Sequence, residues 1–228
     1  MANHLFLFCL VTFATLGFAS AIQYVITNLA PKTPGGSRFD REIGIPLSKQ
    51  LMGSVNTFIW YNIFQQQTPA DRKYNDYVYL NVKDFTGVAG LAQANVIDIS
   101  TQFFQIVPAK DLKWEFTALL YHEMTHVFQW TGGNTAPTGL MEGIADYVKL
   151  KAKYINPIDF PKPGQGDRWD QGYGITARFL EYCESLRGDF VAQLNKKMRN
   201  AYNEHYFVDL LGKPVGQLWN EYKAKHRI

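Results

Sequence analysis

The sequence contains very little cysteine. Only Cys9 and Cys183 occur among its 228 residues, and Cys9 lies in an apolar stretch at the N-terminus. A chain with so few cysteines has no disulfide framework, so a hydrophobic core must hold its fold together. Cys183 lies in a helical pattern, and we expect it to be a buried, unreactive thiol rather than a nucleophile.

Charge is also sparse. Charged residues make up 19% of the chain, and its formal net charge is +3. A dedicated nucleic-acid-binding protein would carry a denser basic stripe, so we expect no nucleic-acid partner. The sequence also lacks an internal repeat, which argues against a solenoid. We therefore expect an ordinary globular protein, and we take it to be a monomer.

The first 21 residues contain no lysine, arginine, aspartate or glutamate. An apolar run over residues 5–18 is followed by the small residues Ala19, Ser20 and Ala21, a pattern typical of a secretory signal peptide. A membrane anchor is the alternative, but the run is short for a span of about 20 residues. We predict a signal peptide over residues 1–21, one secreted domain over residues 22–228, and no membrane partner.

The rest of the chain is predicted to begin with strands and to end with helices. β-Branched and alternating patterns predict strands over residues 22–27, 77–82 and 94–100, and residues 31–37 form a loop by their Pro and Gly content. Apolar residues at helical spacing predict a helix over 48–64 and a Gly- and Pro-free helix over 111–130, with further helices at 140–153, 175–186, 190–202 and 215–224. The predicted fold class is α+β, with a small mixed sheet and a helix first and a helical lobe after them.

The helix predicted over 111–130 carries His122-Glu123-Met124-Thr125-His126. Two histidines at i and i+4 lie one turn apart on one helix face, so both rings can reach one ion. Zinc accepts imidazole nitrogen, and it lowers the pKa of bound water towards about 7. Glu123 stands beside the first histidine, where a carboxylate can take a proton from such a water. We therefore predict His122 and His126 as zinc ligands and Glu123 as the general base.

The next predicted helix offers a third ligand. Glu142 and Asp146 are again spaced i and i+4, and both stand among apolar residues, where an unpaired carboxylate would be costly. We assign Glu142 as the third ligand and Asp146 as the acceptor that orients a ligand imidazole. Exchange of these two roles is the main alternative. The alternative without a metal is that these carboxylates form salt bridges with Lys149 or Lys153 along the helix.

A tetrahedral intermediate, formed when a zinc-bound water attacks a carbonyl carbon, needs a donor for its developing oxyanion besides the zinc. Tyr173 is a candidate because the flanking glycines, Gly172 and Gly174, let backbone and ligand approach closely. Tyr147 and His205 are the other candidates.

The pattern HExxH followed by ExxxD resembles the gluzincin metallopeptidases. The metzincin pattern is absent, because Gln129 and Gly132 stand where that pattern needs Gly and His. The stretch YHEMTHVFQWTGG…GLMEGIADYVKL, together with TPGGSRFDREIG, RWDQGYGITARFLEYC and GKPVGQLWNEYK, resembles the plant basic secretory proteins, and the resemblance covers residues 22–228.

This resemblance implies a zincin-like fold, a zinc peptidase activity, an extracellular location in the apoplast or cell wall, and a role in plant defence. It also implies that the region 93–100 is an edge strand that pairs with an extended peptide or protein substrate. The favoured hypothesis is a zinc-dependent endopeptidase. The alternatives are a non-catalytic secreted protein that keeps the zinc, and an aminopeptidase or other zinc hydrolase.

Overall fold

The computed structural model describes residues 22–73 and 75–226. Its strands are β1 (Gln23–Asn28), β2 (Tyr77–Lys83), β3 (Gly90–Gln93) and β4 (Val96–Ser100). Its helices in the first half are α1 (Pro34–Glu42), α2 (Gly44–Thr57), α3 (Thr101–Ile106) and α4 (Leu112–Phe128). Those in the second half are α5 (Thr138–Lys151), α6 (Tyr173–Leu186), α7 (Phe190–Lys197), α8 (Tyr206–Leu211) and α9 (Val215–Lys225). The predicted signal peptide lies outside the described residues. No helix within the described ranges is long and apolar enough to span a membrane.

The four strands form one sheet in the order β1-β2-β4-β3. β1 pairs with β2 and β2 with β4 in parallel, whereas β3 runs antiparallel to β4 and lies at the edge. One face is buried, since Val78, Leu80 and Val82 of β2 are fully covered. Tyr77 and Tyr79 alternate with them and stay exposed on the other face, as the two-residue period of a strand requires. The sheet is therefore covered on one face only.

Helix α4 is the central helix of the fold. It packs against α2, β3, β4 and α5. Phe116, Leu120, Met124 and Val127 are fully buried along its length. A helix with apolar residues around so much of its circumference is typical of a core position. The HExxH sequence is therefore carried by one of the most firmly packed elements in the described chain.

A glycine sets the contact between α5 and α6. A Cβ atom at Gly143 would lie 2.2 Å from Cγ2 of Thr176, closer than van der Waals contact permits. The missing side chain thus lets the two helices pack closely, and this contact fixes Glu142 and Asp146 of α5 relative to the N-terminus of α6. The position of both carboxylates therefore depends on tight helix packing.

The α+β class and the order of sheet before helices agree with the prediction. The loop predicted over 31–37 is partly wrong, because α1 begins at Pro34, where a proline is favoured in the first turn. Its N-cap Thr33 accepts a hydrogen bond from the backbone N–H of Gly36. The helix predicted over 190–202 ends at Lys197. The helix predicted over 48–64 begins at Gly44 and continues beyond Thr57 as a π-helical segment, Phe58–Ile63.

The edge-strand prediction for residues 93–100 is wrong. β4 lies inside the sheet between β2 and β3, and its Ile97 and Ile99 are fully buried. The edge strand is β3, which ends just before the strand predicted over residues 94–100 begins. The weak apolar pattern of Gly-Leu-Ala-Gln explains the error, because glycine and alanine give little strand signal.

Candidate metal centre

A cleft of about 970 Å³ opens between the edge strand β3 and the helices α4 and α5. Residues of β3 and of the loop before it form one wall, and His122, Glu123 and His126 of α4 lie in the cleft. Glu142 and Asp146 of α5 and Tyr173 at the start of α6 also line it. The structure thus brings together in one cleft every residue that the sequence analysis assigned to the site.

Three side chains converge in this cleft. One donor atom each from His122, His126 and Glu142 lies within 4.8 Å of the other two. Nε2 of His122 is 3.1 Å from Nε2 of His126 and 3.0 Å from Oε2 of Glu142. Oε2 of Glu142 is also 3.5 Å from Nε2 of His126. The Nε2 atoms of both rings therefore face one carboxylate oxygen.

Asp146 contacts the same histidine from the opposite side of the ring. Its Oδ1 is 2.9 Å from Nδ1 of His122 and 3.2 Å from Nζ of Lys149. A carboxylate that accepts the Nδ1–H of an imidazole fixes the tautomer whose Nε2 carries a lone pair. Lys149 neutralises Asp146. The salt bridge expected on this helix without a metal is therefore present, together with the contact to His122.

These contacts shift the ionisation of the cluster. Burial opposes protonation of His122, but the hydrogen bonds to Asp146 and Glu142 outweigh it and raise the pKa of His122 to about 9. Burial likewise opposes ionisation of Glu142, but the two histidines lower its pKa to about 2. The carboxylates of Glu142 and Asp146 thus stay ionised. Their negative charge attracts a cation, whether a proton or a metal ion.

Gln129 supports the second histidine, a role that the sequence analysis missed. It is fully buried at the end of α4, and its side-chain amide lies 2.7 Å from Nδ1 of His126. With the amide nitrogen placed towards His126, the amide oxygen is buried without a partner. The two amide atoms are exchanged by a simple flip, which would let Oε1 accept Nδ1–H of His126. Gln129 is spaced i, i+3 from His126, and this spacing is the sequence signal that could have predicted the contact.

Glu123 lies against the edge strand. Its side chain is buried, with 4% exposed, and burial raises the pKa of its carboxyl group. A Cβ atom at Gly90, the first residue of β3, would lie 2.7 Å from Oε1 of Glu123. Glycine is thus the residue that leaves room for the carboxylate at this point. The side chain of Glu123 thus extends from α4 towards β3 within the cleft.

Of the three candidates for an oxyanion donor, only Tyr173 lies in the cleft. Its ring is parallel to that of His122, with centroids 6.0 Å apart, and its side chain is 58% exposed. Its φ of +45° is unusual for a residue with a side chain and follows Gly172 at +99°. Tyr147 is buried, and Glu184 and Glu181 contribute to raising its pKa. His205 is paired with Asp209 at 3.6 Å, away from the residues that line the cleft.

The donor set fits a metal ion. Two imidazole nitrogens and one carboxylate oxygen make the three-ligand set typical of catalytic zinc sites, in which a further position stays open. The Nε2 atoms of both histidines face Oε2 of Glu142, and each Nδ1 atom is held by a polar side chain. The cluster His122, His126 and Glu142 can therefore hold a metal ion.

Comparisons with known proteins identify the family of the chain. The family model described as "peptidase of plants and bacteria" matches residues 19–222. A "Basic secretory protease" from Boswellia serrata is 43% identical over 58 residues, which are 25% of this chain and 66% of the relative. The match thus spans slightly less than two thirds of that relative's length. No solved structure matches the chain. The match to the family model covers most of the sequence, and the chain belongs to the basic secretory protein family, the peptidases of plants and bacteria.

Proposed function

We propose that this protein is a secreted zinc-dependent endopeptidase. The observation that carries the proposal is the convergence of His122, His126 and Glu142, with donor atoms within 4.8 Å of one another, in the cleft of a chain from a peptidase family. The buried carboxylate of Glu123 in the same cleft supports catalysis over a purely structural metal site, since a closed structural site needs no base.

His122, His126 and Glu142 would hold the zinc ion. When bound, zinc supplies a Lewis acid and a water of lowered pKa. Glu142 is favoured over Asp146 as the third ligand because its Oε2 faces both Nε2 atoms, whereas Asp146 contacts the Nδ1 side of His122. Asp146 and Gln129 would then keep the two rings in the tautomer whose Nε2 is free to bind.

Glu123 would act as the general base. Burial raises the pKa of its carboxyl group, and a carboxylate with a raised pKa is a better proton acceptor. It would take a proton from the attacking water and pass it to the nitrogen of the leaving amine. The contact with Gly90 holds the carboxylate beside the edge strand, where the substrate backbone would lie.

The exposed edge of β3 would bind the substrate. An extended peptide can add a strand to such an edge through main-chain hydrogen bonds. Because these bonds do not involve side chains, peptides of any sequence can form them. Tyr173 would donate its hydroxyl proton in a hydrogen bond to the developing oxyanion, since its ring lies beside His122 and remains accessible. The proposed substrate is thus an extended segment of peptide or protein, and the zincin-like fold stays a prediction.

The location and biological role are part of the same proposal. The apolar stretch followed by small residues at the N-terminus and the name of the Boswellia serrata relative, "Basic secretory protease", support secretion into the apoplast or cell wall. A role in plant defence stays a prediction that rests on the family resemblance.

The test compares hydrolysis of an unfolded protein by the wild type and two variants, with bound zinc measured in each. We expect Glu123→Gln to keep its zinc and to lose activity by roughly 100-fold or more, because removal of a general base costs about 10²–10⁴ in rate. Glu142→Gln should lose zinc and activity together. The control, Glu204→Gln, makes the same change on the surface and should change neither. Full activity in Glu123→Gln would overturn the mechanism, and a zinc-loaded wild type without activity would favour a non-catalytic protein.

A further inference from the structure

Lys73 lies in the cleft, and no residue of the described ranges forms a salt bridge with it. It lines the same cleft as the metal centre, and its side chain is half-buried. Its Nζ contacts the backbone oxygen of Gln129 at 3.4 Å, a long hydrogen bond. Within residues 22–73 and 75–226, this ammonium group forms no salt bridge, and no neighbouring charge contributes to the shift of its pKa. A partly desolvated positive charge thus faces the space where substrate would bind.

The other lysine of the cleft shows the contrast. Nζ of Lys149 lies 3.2 Å from Oδ1 of Asp146 and is neutralised by it. Burial without an opposing charge lowers the pKa of Lys73, because desolvation disfavours the charged form. The carboxylates of Glu142 and Asp146 are already engaged by His122. Lys73 is therefore the cleft lysine whose charge the described chain leaves unmatched.

Lys73 lies near the second histidine of the metal centre. The residue that it contacts, Gln129, also holds Nδ1 of His126 through its side chain. Lys73 is therefore linked to His126 through one residue, at the C-terminal end of α4, whereas Asp146 and Lys149 lie beside His122. A cation is favourable at the C-terminus of a helix, and this is the purely structural explanation for Lys73.

We propose that Lys73 binds a carboxylate of the substrate, so that the enzyme prefers peptides with a negative charge near the His126 side of the metal centre. The proposal rests on the peptidase function proposed above. The carboxylate has two possible sources, an acidic side chain close to the cleaved bond or the C-terminus of the peptide. The first would make the proposed endopeptidase selective for acidic segments, whereas the second would make the enzyme a carboxypeptidase instead of an endopeptidase.

The test uses short peptides of alanine and glycine. Each carries one glutamate, scanned along the sequence, and is compared with the same peptide carrying glutamine. Each is made with a free C-terminal carboxylate and with a C-terminal amide. The wild type should cleave the favoured charged peptide about 10- to 100-fold better in kcat/KM than its neutral partner, the range expected for a hydrogen bond to a charged group. The position of that preference distinguishes a side chain from the C-terminus.

The matched variants are Lys73→Met and Lys49→Met. Lys49 lies on the exposed surface of α2 and does not line the cleft. Lys73→Met should lose the preference and still cleave the neutral peptides, whereas Lys49→Met should keep it. Lys73→Glu should transfer the preference to peptides with lysine at the same position. A Lys73→Met variant that unfolds at a lower temperature and keeps the wild-type preference would overturn the proposal in favour of helix capping.

Binding separates this proposal from the peptidase function. The dissociation constants of the charged and neutral peptides are measured on the Glu123→Gln variant, in which turnover is not required. Tighter binding of the charged peptide that disappears in the Glu123→Gln, Lys73→Met double variant would support Lys73 even if the wild type hydrolyses nothing. Turnover and binding without any preference for charge would overturn Lys73 and leave the peptidase proposal intact.

Discussion

His122 and His126 are each held by a hydrogen bond at the ring nitrogen that faces away from Glu142. Asp146 holds Nδ1 of His122, and Gln129 lies 2.7 Å from Nδ1 of His126. The two supports differ, because aspartate is a charged acceptor and glutamine is a neutral side chain that can present either atom. His122 is therefore held by an ionic contact, and His126 by one that a flip of the amide can change.

Replacement of Gln129 tests this support. Gln129→Leu keeps the approximate size of the side chain and removes both polar groups beside His126. Loss of such a supporting contact costs about 10- to 100-fold in metal affinity, and we expect zinc binding to weaken by this amount. Competition with a chromophoric chelator measures the affinity. Gln102→Leu, on the exposed side of α3, is the control and should bind zinc like the wild type. Unchanged affinity in Gln129→Leu would exclude the supporting role.

The prediction that Cys183 is buried is confirmed. Within the described residues it forms no disulfide, and burial together with Glu184 raises the pKa of its thiol well above the usual range. A thiol that resists ionisation is a poor nucleophile. We therefore expect no nucleophilic role for this cysteine.

Among the elements, the pair α5 and α6 decides where Glu142, the proposed third ligand, lies. Gly139 and Gly143 both face α6 or the segment before it, and a Cβ atom at Gly139 would lie 1.8 Å from the backbone oxygen of Asp170. Glu142 stands between these glycines on the same helix, and Tyr173 begins the neighbouring one. Displacement of α5 from α6 would therefore move the carboxylate and the tyrosine relative to each other.

A substitution at Gly143 tests this contact. Gly143→Ala places a methyl group where Thr176 already lies, and overpacking of this kind costs about 1–3 kcal/mol in the free energy of unfolding. We expect a lower midpoint of denaturant unfolding and weaker zinc binding in the same variant. Gly216→Ala, in α9, meets no atom within 4 Å and should be neutral or gain up to about 1 kcal/mol. Equal stability of the two variants would contradict the proposed role of the contact.

At the scale of the whole molecule, the proposed metal centre joins parts of the fold that are distant in sequence. Helix α4 supplies two side chains, α5 supplies one, and β3 closes the cleft from the sheet. An ion that binds the folded chain and not the unfolded chain stabilises the fold in proportion to the logarithm of its concentration. Metal binding and the stability of the whole domain are thus expected to be coupled.

Thermal unfolding with and without zinc measures this coupling. At a free zinc concentration of about 100 times Kd, the expected gain is about 2.7 kcal/mol. For a domain of this size, the gain corresponds to a rise of roughly 5–10 °C in Tm. Glu142→Gln should show a much smaller rise at the same zinc concentration. An equal rise in both proteins would place the stabilising ion elsewhere on the chain.

Local features of the sequence determined the parts of the site that depend on one helix. The spacing of His122 and His126 puts both rings on one face because the helical repeat is local, and Glu142 and Asp146 follow the same rule on α5. The long apolar patterns likewise predicted the core helices and the α+β class. These features need no knowledge of distant contacts.

Only the tertiary structure decided how these pieces meet. Strand order depends on pairing between distant segments, and the structure therefore put β3 rather than β4 at the edge of the sheet. The approach of α5 to α4 turned Glu142 towards both Nε2 atoms and Asp146 towards Nδ1, a distinction that two carboxylates one turn apart cannot make by themselves. Tertiary packing also decided the surroundings of Gln129 and Lys73. The role of a single polar residue depends on the side chains and the open space next to it, and these come from distant parts of the chain.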